Sequence, residues 1–173
     1  MGTRDHPNSP NHPYFVTAVT KDRRPIFRDD RAAELMVTDL RLLRDELGFS
    51  LVAYVVMPDH VHLLVVPGEG SGVSRIMQLI KGRFARSWNK AIGSAGSVWQ
   101  PRFFESVVRT ETQLVRWIEY IQCNPVEARL VQAPEDYPYC SAGGSLPTDT
   151  RAYLGGVTRS RAEARPSGEV IEP

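Results

Sequence analysis

Two histidines one residue apart, His60 and His62, open the apolar run HVHLLVV just after a Pro58-Asp59 turn. Side chains alternate along a strand, so both imidazoles point to one face and Val61 to the other. Adjacent imidazoles can hold a divalent cation. They are equally at home as ordinary polar residues on a sheet face. A phenol further along, Tyr120, is a nucleophile toward phosphorus once something helps it lose its proton, its free pKa being about 10. It lies in LVRWIEYIQCNP, where Leu114, Ile118 and Ile121 form an inward helical stripe. Trp117, Tyr120 and Asn124 follow a neighbouring line at helical spacing, so Tyr120 and Asn124 can face one point. The plainer alternative is a tyrosine at the core edge with its hydroxyl in water. Asp59 and Glu105 could serve as a metal ligand or general base, or simply be surface carboxylates. The Gly-rich GEGSG at 68–72 lacks the Lys-Ser/Thr ending of a phosphate loop, which leaves no nucleotide-binding motif. No Ser/His/Asp or Cys/His arrangement is visible.

A second group of residues concerns the partner. From Gly70 to Phe104 the chain has no Asp or Glu, yet it carries Arg75, Lys81, Arg83, Arg86, Lys90 and Arg102. On a helix, Arg75, Arg83, Arg86 and Lys90 fall on one side, away from an Ile76, Ile80, Phe84, Trp88 stripe. A face of one charge sign, with Trp99, Phe103 and Phe104 close behind, suits a phosphate backbone and unstacked bases. A solvated helix face is the alternative, although such faces usually mix signs.

The elements that must position these residues alternate. Tyr14–Thr20 reads as a strand, Arg31–Leu47 as an amphipathic helix ended by Gly48, and Leu51–Met57 and Val61–Val66 as a hairpin. A helix over residues 73–92, a short strand at Glu105–Arg109 and a last helix follow. Thr110 caps that helix with Gln113 three residues on, and Pro125 is expected to stop it near Cys123. The order β-α-β-β-α-β-α predicts an α+β fold. It is a ferredoxin-like split βαβ, an antiparallel sheet with helices on one face, plus a C-terminal helix carrying Tyr120. Residues 1–12 read as a flexible arm, 13–142 as the folded unit, and 143–173 as a disordered or loosely docked tail.

The chain has 173 residues, enough for one domain and a tail. Its 42% hydrophobic and 24% charged content is globular. No apolar run is long enough to span a membrane, and the N-terminus has no secretory signal. The two cysteines, Cys123 and Cys140, are too few for a disulfide framework or a structural zinc cage, and free thiols in a reducing cytosol are expected. A net charge of +1 excludes a histone-like protein while hiding the local basic stretch.

MPDHVHLLV, LIKGRFARSWN, VWQPRFFESVVR, YIQCNPVEARLV and EDYPYCSA, in that order, resemble the single-tyrosine HUH transposases, and most closely the REP-associated tyrosine transposases of bacteria. The opening FVTAVTKDRRPIF is similar to that family's first strand and loop. The resemblance covers about Tyr14 to Ala142. It implies metal-binding histidines at His60 and His62, a nucleophile at Tyr120 and a third ligand at Asn124. Mg²⁺ or Mn²⁺ would be the metal, with imidazoles favouring Mn²⁺ by softness. The implied reaction cleaves single-stranded or hairpin DNA through a 5′-phosphotyrosine and rejoins it without ATP. The partner would be palindromic DNA, bound by a cytoplasmic, nucleoid-associated protein, with monomer or homodimer left open. A silent DNA-binding regulator and an HUH nicking enzyme of replication or plasmid transfer are the alternatives. One departure stands out: Arg129 occupies a turn position where the family commonly has Gly, so the backbone there bears on how Asn124 is seated.

Overall fold

The computed structural model describes residues 12–154. Residues 1–11 and 155–173, which hold most of the arm expected at 1–12 and the end of the expected tail, lie outside them. The elements follow the expected order. They are β1 (Tyr14–Val19), α1 (Asp30–Leu47), β2 (Ser50–Met57), β3 (His60–Val66), α2 (Val73–Ala91), β4 (Phe104–Val107) and α3 (Glu111–Glu127). The four strands form one antiparallel sheet in the order β2-β3-β1-β4. Among the described residues, no helix is long and apolar enough to cross a membrane.

Local chemistry sets the helix ends. Asp29 caps α1 by accepting from the Arg31 N–H at 3.0 Å, and Gly48 ends it with φ 64°. Each such cap contributes about 1 kcal/mol, the glycine because it takes the left-handed conformation without a Cβ clash. Thr110 accepts from the Gln113 N–H at 3.2 Å, while Gln113 Oε1 reaches back to the Arg109 N–H at 2.9 Å. The reciprocal bond of this capping box thus lands one residue earlier than the standard pattern.

The sheet is covered on both faces. Val61, Leu63, Val65, Tyr14, Val16 and Ala18 point to a core built with α1 and α2, whose stripe of Ile76, Ile80, Phe84 and Trp88 is buried. Leu64, Val66, Phe15 and Val55 point the other way, onto Leu114, Ile118 and Ile121 of α3. A register shift between Leu51 and Ala53 lets the consecutive Val52 and Ala53 both join the α3 side. An inserted residue of this kind is a β-bulge. The buried area on each face supplies the main driving force, at about 25 cal/mol per Å² of apolar surface.

One expectation needs correction and a second is narrowed. First, α3 does not stop near Cys123 but runs through Pro125 to Glu127. Proline removes one N–H, leaving the Ile121 carbonyl without its helical donor. The buried Cys140 thiol approaches that carbonyl, with Sγ 3.9 Å from Ile121 O. Only one turn follows the proline, so little is lost. Second, of the tail expected to be disordered or loosely docked at 143–173, the described part, 143–154, is docked. β2 is an edge strand, and the chain after α3 covers it. Val56 N–H donates to Tyr139 O and Ser141 N–H to Tyr54 O, each at 2.9 Å, and Asp149 N–H donates to Leu51 O at 2.8 Å. Asp149 also accepts from the Leu51 N–H at 2.9 Å and pairs with Arg44 at 2.7 Å, while Leu146 is buried. This order comes from the unpaired groups of a strand edge and not from an apolar period of the segment itself.

Candidate active site

His60 and His62 share the sheet face that α3 covers. Antiparallel register aligns Val55, His62, Thr17 and Phe104 in one row across the four strands. The Thr20 N–H and hydroxyl both donate to Asp59 O at 2.9 Å, which fixes the tight turn before β3.

The two imidazoles turn their Nε2 atoms toward each other, 3.1 Å apart. Their other nitrogens are engaged: His60 Nδ1 with Asp59 Oδ1 at 2.6 Å, and His62 Nδ1 with Thr17 Oγ1 at 2.8 Å. Arg23 holds the second Asp59 oxygen at 3.0 Å. Such outer partners fix ring orientation and leave the inner nitrogens for a ligand. Burial, with the His60 charge adding to it and Asp59 opposing, pushes the His62 pKa down to about 3, so this ring is neutral near pH 7. Burial alone would raise Asp59, but the hydrogen bonds from His60 and Arg23 outweigh it and hold the carboxyl below its usual range.

The donor set fits a divalent cation. Two ligand nitrogens in neighbouring octahedral positions, on bonds of about 2.1 Å, lie about 3.0 Å apart. Among the described residues, no group of three or more His, Cys, Asp or Glu is placed to hold a metal. The pair therefore needs oxygen ligands of another kind, from an amide or from a bound phosphate.

Tyr120 stands over His62, their rings meeting edge to face at 5.4 Å. Two further rings hold it: Trp117 at 5.6 Å and 82°, and Phe15 at 5.9 Å and 74°. Phe15 and Trp117 stack at 3.8 Å and 9°, and Phe15 also stacks on His62 at 5.3 Å. Offset and edge-to-face pairs each contribute about 0.5–1.5 kcal/mol beyond their buried area. The tyrosine ring is thus fixed while the residue stays 39% exposed.

Asn124, one turn on, is buried on the same helix. No hydrogen bond among the described residues joins it to either histidine. The helix ends just beyond: Ala128 N–H donates to Asn124 O at 3.0 Å, Leu130 N–H donates to Pro125 O at 2.9 Å, and Arg129 takes φ 58°. Arg129 therefore adopts the left-handed conformation that suits glycine.

The basic residues of 75–102 are not brought to this face. α2 lies on the opposite side of the sheet from the histidines. Arg83 is occupied there by α1, with Nη1 2.7 Å from Glu46 and Nε 3.5 Å from Asp39. Lys81 donates to Gln100 O at 2.7 Å and Arg102 O at 3.2 Å, so it holds a loop. Arg75 donates to Gln78 at 3.0 Å. Arg86, Lys90 and Arg102 are exposed on that far layer and its following loop.

The cations near the histidines are others. Arg23 and Arg28 line a hollow of about 490 Å³ together with Asp59, His60 and Leu130. Arg116 lines a second cavity beside Tyr120. The segment KDRRPIFR after β1, with four basic residues against one acidic, is the signal for the first group. Nothing in spacing alone marks Arg116, nor the supporting role of Thr17.

Comparison with known proteins agrees with this geometry. The family model described as "Transposase IS200 like" matches residues 8–124. The chain belongs to the IS200-like transposase family. It is 28% identical over 149 residues to the REP-associated tyrosine transposase of Escherichia coli, covering 79% of this chain and 86% of that one. A Haemophilus influenzae protein carrying the same family designation is 28% identical over 138 residues, with 74% of this chain and 78% of that one covered. A solved REP-associated tyrosine transposase bound to a REP hairpin shares the fold, with a TM-score of 0.67 at 22% identity, over 99% of this chain and 94% of that one. The α+β architecture expected from the sequence is therefore found, in a family of transposase enzymes.

Proposed function

We propose that this transposase cleaves and rejoins single-stranded DNA next to a hairpin, using Tyr120 as nucleophile at a divalent metal site formed by His60 and His62. The convergence of the two Nε2 atoms, with the Tyr120 ring packed against His62, carries this reading. Family membership supports the reaction class, and the hairpin-bound relative supports the DNA form.

Mg²⁺ or Mn²⁺, when bound, would supply Lewis-acid stabilisation of charge on the scissile phosphate. His60 and His62 would hold it, with the Asn124 amide oxygen as third protein ligand. Asp59 and Thr17 keep both imidazoles turned inward. Trp117, Phe15 and His62 keep the phenol over the same point, which removes orientational freedom before the reaction. Tyr120 Oη forms a bond to phosphorus as the P–O3′ bond breaks. The phenol proton goes to solvent, and the departing 3′-oxygen takes up a proton. The DNA 5′-phosphate is then esterified to Tyr120. A second 3′-hydroxyl reverses these steps, so one phosphodiester replaces another and no nucleotide is consumed. Arg28, and Arg23 beyond its pair with Asp59, would neutralise phosphates on the His60 side.

The test is incubation of the protein and Mn²⁺ with an end-labelled DNA hairpin carrying single-stranded flanks. A covalent adduct mapping to the Tyr120 peptide is the expected result. Binding without any adduct would indicate a DNA-binding regulator of the same fold.

A further inference from the structure

A cavity of about 490 Å³ opens between the first half of α3 and β4, lined by Ser106, Gln113, Arg116, Trp117 and Tyr120. Its volume lies in the range of small-molecule sites, about 300–1,000 Å³. Tyr120 belongs both to this cavity and to the ring cluster around His62. Whatever fills the cavity therefore adjoins the reacting phosphate of the reaction proposed above, and the inference rests on that reading.

The lining combines a flat aromatic wall with directed polar groups. Trp117 is stacked on Phe15 and cannot turn away without breaking that pair. Phe104 is 58% exposed, although its row across the sheet leads through Thr17 to His62. A large apolar ring left open beside a reactive centre is available for stacking. Ser106 follows on the same face of β4, opposite Phe15. Gln113 has its carbonyl occupied by the Arg109 N–H, so its amide hydrogens are what it can offer. No hydrogen bond or ion pair among the described residues engages the Arg116 guanidinium. The cavity is thus richer in donors than in acceptors, with the Ser106 and Tyr120 hydroxyls able to act as either.

We propose that this cavity binds one unpaired nucleobase of the DNA strand, adjacent to the scissile phosphate, and selects guanine. An aromatic wall accepts any base face. Guanine is the base with two neighbouring acceptors, O6 and N7, on one edge, matching an arginine fork assisted by an amide donor. Arg116 and Gln113 read that edge, and the exposed Phe104 ring, two residues before Ser106 on the same face of β4, flanks the base.

The experiment uses the full chain without metal and a fluorescein-labelled hairpin with single-stranded flanks. First, 8-vinylguanine, a fluorescent base that keeps O6 and N7, is placed at one flank position at a time. Quenching at a single position, with binding followed by anisotropy, is expected. Next, that position carries each of the four bases or an abasic site. Wild type should prefer guanine by about tenfold. The Gln113→Ala/Arg116→Ala protein should lose that preference while binding the abasic strand as wild type does. Phe104→Ala should relieve the quenching. If the double variant weakens all strands alike, Arg116 is a general phosphate cation and the pocket assignment is overturned. The same holds if a parallel incubation with Mn²⁺ forms a Tyr120 adduct but no position is quenched in the metal-free titration. Quenching and guanine preference, with no adduct in the parallel Mn²⁺ incubation, would support the pocket and overturn the cleavage reading instead.

Discussion

Asp59 Oδ1 lies 2.6 Å from Nδ1 of His60, and the two residues are adjacent in sequence. A carboxylate so placed fixes the ring's tautomer with Nδ1 protonated and leaves the Nε2 lone pair facing His62. Arg23 holds the other carboxylate oxygen, so the orientation passes from the loop after β1 through the turn into the site. Asp59→Asn keeps the side-chain shape but offers a weaker acceptor. Mn²⁺ affinity, measured by calorimetry, should fall about 10- to 100-fold. Unchanged affinity would separate the His60 orientation from Asp59.

Tyr120→Phe removes only the hydroxyl. The three ring contacts with His62, Trp117 and Phe15 remain, and the residue is partly exposed, so stability in urea should change by less than about 0.5 kcal/mol. Covalent capture of DNA should vanish, and binding of the hairpin should persist. An adduct that survives this change would place the nucleophile elsewhere.

How far these features were legible in the sequence depends on the range of the interaction. The shared face of His60 and His62 follows from a strand period of two, and the Leu114, Ile118, Ile121 stripe from a helix period of 3.6. Both are local and both hold. Which sheet face each helix covers is not local. β3 is apolar on both sides, Val61, Leu63 and Val65 against Leu64 and Val66, so its pattern could not show that α2 lies away from the histidines. The basic side of α2 reads as a surface for a phosphate backbone, and its distance from the histidines is visible only in the fold. Pro125 read as a stop because the thiol that serves the Ile121 carbonyl comes from Cys140, on a later segment. The docking of 143–154 depends likewise on the edge of β2, which no periodicity in those residues reveals.

Arg129 tests the end of α3. With φ 58° it holds a conformation that costs a non-glycine residue about 1–2 kcal/mol, and glycine's greater unfolded-state freedom offsets about half of that. Arg129→Gly should raise the urea unfolding free energy by about 0.5–1 kcal/mol, since the bonds from Ala128 and Leu130 that close the helix do not involve the side chain. Loss of stability would mean that the guanidinium makes a contribution larger than the strain.

Arg83 tests the assignment of α2 to structure over DNA contact. Asp39 is buried with 5% of its side chain exposed, and Arg83 and Glu46 sit beside it. Burial raises the Asp39 pKa, while Arg83 and then Arg86 lower it and Glu46 raises it. Arg83→Ala leaves this carboxylate with less compensation, and breaking such a partly buried pair should cost about 2 kcal/mol at pH 7. The folded-state pKa of Asp39 then rises further above its unfolded value. The folded variant therefore takes up a proton more readily than the unfolded chain as pH falls. The penalty should be full at pH 7 and shrink as pH falls through the raised pKa of Asp39. Asp39→Asn should remove that pH dependence. Urea unfolding of the single variants and the double variant between pH 7 and 4 measures this. The salt dependence of hairpin binding, by contrast, should change little with Arg83→Ala, because the residue faces α1 and not the strand. A flattened salt slope together with unchanged stability would return Arg83 to the DNA-binding surface.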